Sequence, residues 1–174
     1  MRAVRFAKCI SHLPTSEFVM PQTKRRFQVG LSFPGEYRRF VRKVASHLEK
    51  KLQQKNVFFD ENYEAELARP DLDLYLQRIY LEETDLVAVF LCEAYDKKDW
   101  CQLEWRAIRN IIKRKNAHQI MPIRLDDGDV SGIYEIDGYV SVRDREPSEI
   151  ADLIIERLRL NEGFIAQHSS VSSK

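Results

Sequence analysis

Trp100 and Glu104 stand four residues apart in the run CEAYDKKDWCQLEW, residues 92–105. On a helix that separation is one turn, so both side chains fall on one face. A carboxylate beside an indole can hold a ribose hydroxyl next to a stacked planar ring. The same two residues also suit a plainer role, with Glu104 an acid near a helix N-terminus and Trp100 a packing residue. Spacing alone leaves both open.

Other chemistries lack their residues. There is no G-x-G-x-x-G after the first expected strand and no Walker A sequence, so no glycine cradle for a dinucleotide or triphosphate is expected. No G-x-S-x-G elbow occurs, which excludes an α/β-hydrolase nucleophile. Cys92 closes the third expected strand, where a phospho-receiver would need a carboxylate. Cys9, Cys92 and Cys101 cannot all pair, none forms C-x-x-C, and His12, His47, His118 and His168 are scattered. Neither a zinc site nor any other metal is expected, and free thiols suit a reducing compartment.

The elements that must position Trp100 and Glu104 are legible from periodicity. Phe27–Phe33 alternates like a strand until Pro34-Gly35 breaks it. Tyr37, Phe40, Val41, Val44, Leu48 and Leu52 then form a helical stripe. Val57–Phe59 is a short strand closed by Asp60, and the acidic segment Glu61–Pro70 reads as a long loop. Pro70 is placed to open a helix carrying Leu72, Leu76, Ile79 and Tyr80. Leu86–Cys92 is apolar throughout, as a strand buried on both faces should be. Asp99 and Gln102 make a capping box for the next helix, which carries Cys101, Trp105, Ile108, Ile111 and Ile112. Gln119–Leu125 is a fourth strand, followed by an Asp-Asp-Gly-Asp turn. A fifth lies around Gly138–Val142, before a last helix with Ile150, Leu153, Ile154 and Leu158.

Such alternation implies an α/β fold, a flavodoxin-like doubly wound five-stranded parallel sheet in the order 2-1-3-4-5. Residues 1–25 read as an N-terminal extension, 26–160 as the domain, and 161–174 as a disordered tail. Ligands of such sheets bind outside the carboxyl ends of the strands, which draws attention to Phe33-Pro34-Gly35, Asp60 and the segment after Cys92.

Composition agrees with a globular chain: 44% hydrophobic, 32% charged, with 28 Lys plus Arg against 27 Asp plus Glu. A net charge of +1 is too small for a protein that neutralises many phosphates, so nucleic acid is not an expected partner. No apolar run approaches the roughly 20 residues that span a bilayer, and no signal peptide is read, so a cytoplasmic location is expected.

Tyr95, Trp100-Cys101 and Glu104 resemble the corresponding run of the Toll/interleukin-1 receptor (TIR) domain family, in its enzymatic branch known from bacteria and plants. FQVGLSFPGE, residues 27–36, resembles that family's opening box, and Phe58-Phe59-Asp60 its second-strand box ahead of the BB loop. The likeness runs over about residues 26–158. It implies that Glu104 is catalytic in cleaving the nicotinamide–ribose bond of NAD⁺, which is substrate rather than cofactor. The products implied are nicotinamide and either ADP-ribose or a cyclic ADP-ribose signal, in innate or antiphage immunity.

The resemblance further implies that Trp100 and Phe33 line the nicotinamide side, that Asp60 binds substrate, and that Arg38 and Arg39 meet the pyrophosphate. Packing, turn or solvated roles stay open for each of these, and Cys101 is read as a small core residue. The BB loop, about Glu61–Pro70 with Glu64, Glu66, Arg69 and Pro70, is implied to close over a neighbouring domain's pocket. Self-association, and an upstream sensor or downstream effector, are the implied partners. A non-catalytic TIR adaptor and an enzyme acting on another N-glycoside are the rival readings. The chain departs from the family pattern at Pro34, Cys92, Asp99 and Ala68-Arg69-Pro70.

Overall fold

A strand as uniformly apolar as Leu86–Cys92 is stable only where both of its faces are covered. In the computed structural model, which describes residues 25–93, 117–128 and 138–169, it forms β3 (Thr84–Leu91) at the middle of the sheet. β1 (Phe27–Ser32) pairs with it on one side and β4 (Ile120–Arg124) on the other. β2 (Val57–Phe58) lies beyond β1 and β5 (Val140–Ser141) beyond β4. The sheet has five strands, all parallel, in the order β2-β1-β3-β4-β5. The expected topology is the observed one.

The twofold period of β3 divides two cores. Leu86, Ala88 and Phe90 pack with Val29, Leu31 and the buried stripe Val41, Val44, Ala45 and Leu48 of α1 (Arg38–Leu52). The same layer holds Ile150, Ala151, Ile154 and Leu158 of the last helix, α4 (Pro147–Ser169). Val87, Val89 and Leu91 face the opposite way, onto Phe27, Phe58 and the buried Tyr75 and Leu76 of α3 (Leu72–Arg78). α1 ends in Lys50 and Lys51, favourable at its negative pole, and at the start of α4 the Glu149 carboxylate accepts the Glu146 N–H at 2.7 Å.

Several boundaries differ from expectation, each for a physical reason. Glu61–Pro70 is not a plain loop: Asp60–Tyr63 makes a tight helical turn and Glu64–Leu67 a single α-turn, α2. Pro70 does not open α3. It sits in a turn with Asp71, and the helix begins at Leu72. Ile79–Glu83 widens into a π turn, which lets Ile79 and Tyr80 stay buried while the chain swings into β3. The buried Thr84 hydroxyl donates to the Ile79 carbonyl at 2.9 Å, and the Tyr80 hydroxyl to the Leu31 carbonyl at 3.1 Å. Gly30 permits this crowding, since a Cβ there would meet the Thr84 methyl at 3.1 Å.

The tail expected from Asn161 does not begin there. α4 stays helical to Ser169, and Asn161 is buried with its amide donating to the His118 carbonyl at 2.6 Å. The helix expected from Asp99, with Cys101, Trp105, Ile108, Ile111 and Ile112, lies outside the described residues.

Thr84→Val keeps shape but removes the donor to a buried carbonyl. It should destabilise the fold by about 1–3 kcal/mol. Urea denaturation should show a lower midpoint at an unchanged slope.

Candidate functional site

The carboxyl ends of β1 and β2 open into a cleft of about 560 Å³. β1 contributes Leu31 and then Phe33, α1 Arg38, and β2 Phe58 followed by Asp60 and Glu61. The α2 turn adds Glu64, Leu67 and Ala68, and the opposite wall is Leu72, Leu76 and Tyr80. The floor is thus apolar and aromatic. The charged lining residues are Arg38, Asp60, Glu61 and Glu64.

Phe33 is only 7% exposed. Its ring stacks on Phe59 with centroids 5.7 Å apart and planes 27° from parallel, and the Arg38 guanidinium lies 5.0 Å from its centroid. It lines the cleft and belongs to the core at once. Arg38 grips Asp60 through two parallel hydrogen bonds of 2.8 and 2.7 Å and reaches Glu61 at 3.4 Å. Glu61 is held in turn by Arg42 at 2.7 and 2.6 Å. These forks raise the Arg38 pKa, with Asp60 the largest cause, and lower that of Glu61, with Arg42 the largest cause.

This changes what Arg38 offers. The two expected substrate residues Arg38 and Asp60 meet each other, so the guanidinium is not an uncommitted cation waiting for a pyrophosphate. Arg39 is exposed and is not among the residues lining the cleft. Among the described lining residues Arg38 is the one cation, against the carboxylates of Asp60, Glu61 and Glu64.

The α2 turn that lines the cleft is clamped through Glu66, which is not among the lining residues. Arg26 holds the Glu66 carboxylate at 2.5 and 2.7 Å, and the Tyr75 hydroxyl donates to the same carboxylate. The Arg26 guanidinium also lies over the rings of Phe27, at 4.6 Å, and Tyr63, at 5.3 Å. Glu66 therefore anchors α2 to the body of the domain instead of facing outward. Glu64, Arg69 and Pro70 are exposed; Arg69 pairs with Asp71 at 2.9 Å and lies 4.1 Å from the Tyr75 centroid.

Sequence reasoning missed Arg26, Arg42, Glu61 and Tyr75. Arg26 carries no local signal at the edge of the domain, and its partner is 40 positions away, beyond any local spacing rule. Tyr95, Trp100 and Glu104 lie outside the described residues. Among the described residues no group of three His, Cys, Asp or Glu could hold a metal, and no helix is long and apolar enough to cross a membrane.

The Arg26 fork and the Tyr75 hydroxyl, working against some burial, hold the Glu66 carboxyl at about 2, below its ordinary 4.5. A depressed carboxyl contributes stability that is complete above its unfolded pKa and is lost as pH falls through the folded one. Wild-type stability should accordingly decline between about pH 4.5 and about pH 2, and Glu66→Gln should flatten part of that decline. Denaturant midpoints across the interval measure it.

Comparison with known proteins gives this geometry a family. The family model described as TIR domain matches residues 29–155. The protein named 3' cyclic ADP-D-ribose synthase AaTIR, from Aquimarina amphilecti, is 32% identical over 145 residues, which cover 83% of this chain and 44% of that protein. The chain thus spans less than half the length of this relative. The crystal structure of the TIR domain of the Toll-related receptor TRR-2 from Hydra magnipapillata superposes with a TM-score of 0.55 at 13% identity, covering 78% of this chain and 97% of that domain. At that identity the likeness concerns the fold. With the parallel sheet in its 2-1-3-4-5 order and a family match across most of its length, the chain belongs to the TIR domain family.

Proposed function

We propose that this chain is a TIR-domain NAD⁺ glycohydrolase that cleaves the nicotinamide–ribose bond, releasing nicotinamide and ADP-ribose or a cyclised ADP-ribose signal in an immune response. The observation that carries the reading is the 32% identity over 145 residues to a cyclic ADP-ribose synthase. The intact run Trp100-Cys101-x-x-Glu104 and the apolar, aromatic cleft at the carboxyl end of the sheet support it. The setting we propose is cytoplasmic, with self-association and a sensor or effector as partner.

The chemistry asks little of acid–base groups. Nicotinamide departs as a neutral ring from a pyridinium, so the leaving group needs no proton. The barrier is positive charge developing on the ribose, which one carboxylate can stabilise. The bond lost to nicotinamide is replaced by one to a water oxygen, or to a hydroxyl of the same molecule in the cyclised product, whose proton passes to solvent. We assign that role to Glu104, a contribution on the order of 2.7–4 kcal/mol for a preorganised group of this type. Trp100 stacks on the departing ring, with Phe33 at the cleft floor. With Asp60 paired to Arg38 and Glu61 to Arg42, the further carboxylate of Glu64 still leaves the lining net negative, which suits a cationic pyridinium better than a pyrophosphate.

Glu104→Gln keeps shape and removes charge. It should lower NAD⁺ cleavage by about 10²–10³-fold, with a melting temperature close to wild type. Chromatography of products from concentrated protein tests this, and a variant keeping more than about a tenth of the rate would remove Glu104 from the mechanism.

Assembly supplies a second test. The cleft is open, so a neighbouring domain's α2 segment would exclude water from it. Specific activity should rise steeply with protein concentration, and Glu64→Lys or Arg69→Glu, both at exposed positions, should flatten the rise without unfolding the protein. Activity strictly proportional to enzyme, with light scattering showing a monomer, contradicts gating by assembly.

A further inference from the structure

The α2 wall of the cleft is held differently from the floor. Leu31 and Phe58 on the floor are buried, whereas from Asp60 to Asp71 every residue is half-buried or exposed. The start of this stretch is well fastened. Asp60 and Glu61 sit in the Arg38 and Arg42 forks, and the Tyr63 ring meets those of Phe27 and Phe58 at 5.3 and 5.5 Å.

From Glu64 onward there is less to hold the chain. Leu67 packs on the core only in part, and Glu64, Ala65, Ala68, Arg69 and Pro70 are exposed. The turn closes through the Ala68 N–H to the Glu64 carbonyl at 3.0 Å, followed by the Arg69 N–H to the Leu67 carbonyl at 2.8 Å. One helical turn does not support itself, because ordering its residues costs more than the first bond returns.

What ties α2 to the domain is Glu66. Its carboxylate takes both arms of Arg26 and the Tyr75 hydroxyl, and both partners are held in their turn. Arg26 reaches Glu83 at 3.7 Å beside its two ring contacts, and Tyr75 is buried with the guanidinium groups of Arg69 and Arg78 at 4.1 and 4.9 Å from its centroid. The clamp grips a residue that does not line the cleft, and its consequence falls on Glu64, Leu67 and Ala68, which do.

We infer that Arg26 and Tyr75 are positioning residues, which through Glu66 keep the α2 wall in place and so set how tightly the cleft holds its ligand. The inference rests on the proposed reading of the cleft as the NAD⁺ site. Neither residue lines the cleft. Without the clamp the wall stands in place for only part of the time, and the apparent dissociation constant grows by the inverse of that fraction. A wall that serves substrate and transition state alike changes KM and spares kcat.

Hydrogen exchange and NAD⁺ titration, both in a Glu104→Gln background that spares the substrate, test this. Arg26→Gln should speed exchange of the Ala68 and Arg69 amides by about ten- to a hundredfold, as loss of a charge-assisted clamp requires, with β3 amides unchanged. It should weaken NAD⁺ binding about three- to tenfold. With Glu104 restored, KM should rise by the same factor at a kcat within about twofold of wild type. Arg26→Lys, which keeps the charge, should recover most of the affinity. Tyr75→Phe, which loses the hydroxyl and keeps the ring contacts, should give a smaller shift in the same direction, and carries the comparison if Arg26→Gln fails to fold. Unchanged exchange at Ala68 and Arg69 overturns the inference, and so does faster exchange with unaltered NAD⁺ affinity. Exchange raised equally in β3 overturns it too, since the clamp would then serve global stability. If the wild-type protein does not bind NAD⁺, the proposed reaction falls, and the exchange readings alone decide whether the clamp holds the wall.

Discussion

Everything in this domain is arranged around a strand that has no free side. The backbone groups of β3 are shared between β1 and β4, and its side chains alternate between two apolar cores. Such a strand cannot carry chemistry along its length, because a polar group there would be buried without partners. Function is left to its ends and to the loops that neighbouring strands send past them. The cleft opens at the carboxyl ends of β1 and β2 for this reason, beside the point where the strand order reverses between β1 and β3.

The near balance of 28 basic and 27 acidic residues acquires meaning in the same region. The charges around the cleft are spent on one another: Arg38 on Asp60, Arg42 on Glu61, Arg26 on Glu66. Singly, such half-exposed pairs contribute little to stability. Their value is geometric. Bidentate forks fix the start of α1 against the end of β2, and α2 against the residue just before β1, so the cleft keeps its shape without a buried polar core beneath it.

The fold was legible because burial writes a periodic signal. The unbroken apolar run Leu86–Cys92 identified the central strand, and the stripe Val41, Val44, Leu48 identified α1. Events without a period were illegible. The π turn at Ile79–Glu83 depends on Thr84 and Tyr80 finding distant carbonyls, and the survival of α4 past Asn161 depends on the His118 carbonyl. The site was legible by residue type and not by partnership. Phe33, Asp60 and Arg38 do line the cleft, but nothing in the sequence distinguishes an arginine reserved for a phosphate from one already committed to an aspartate 22 positions away.

A single carboxylate can do the proposed chemistry only in a place that water does not dominate. At about 4 Å, opposite unit charges attract by about 1 kcal/mol in bulk water and about 4 kcal/mol at the effective dielectric of a protein surface. The difference is comparable to the whole contribution asked of an electrostatic catalytic group. Leu31, Phe33, Phe58, Leu72 and Leu76 provide the water-excluding side, and the paired Arg38–Asp60 closes its polar end with no net charge of its own. The cleft thus brings a low-dielectric wall and no unshared cation, while the catalytic charge is assigned to the chain leaving β3.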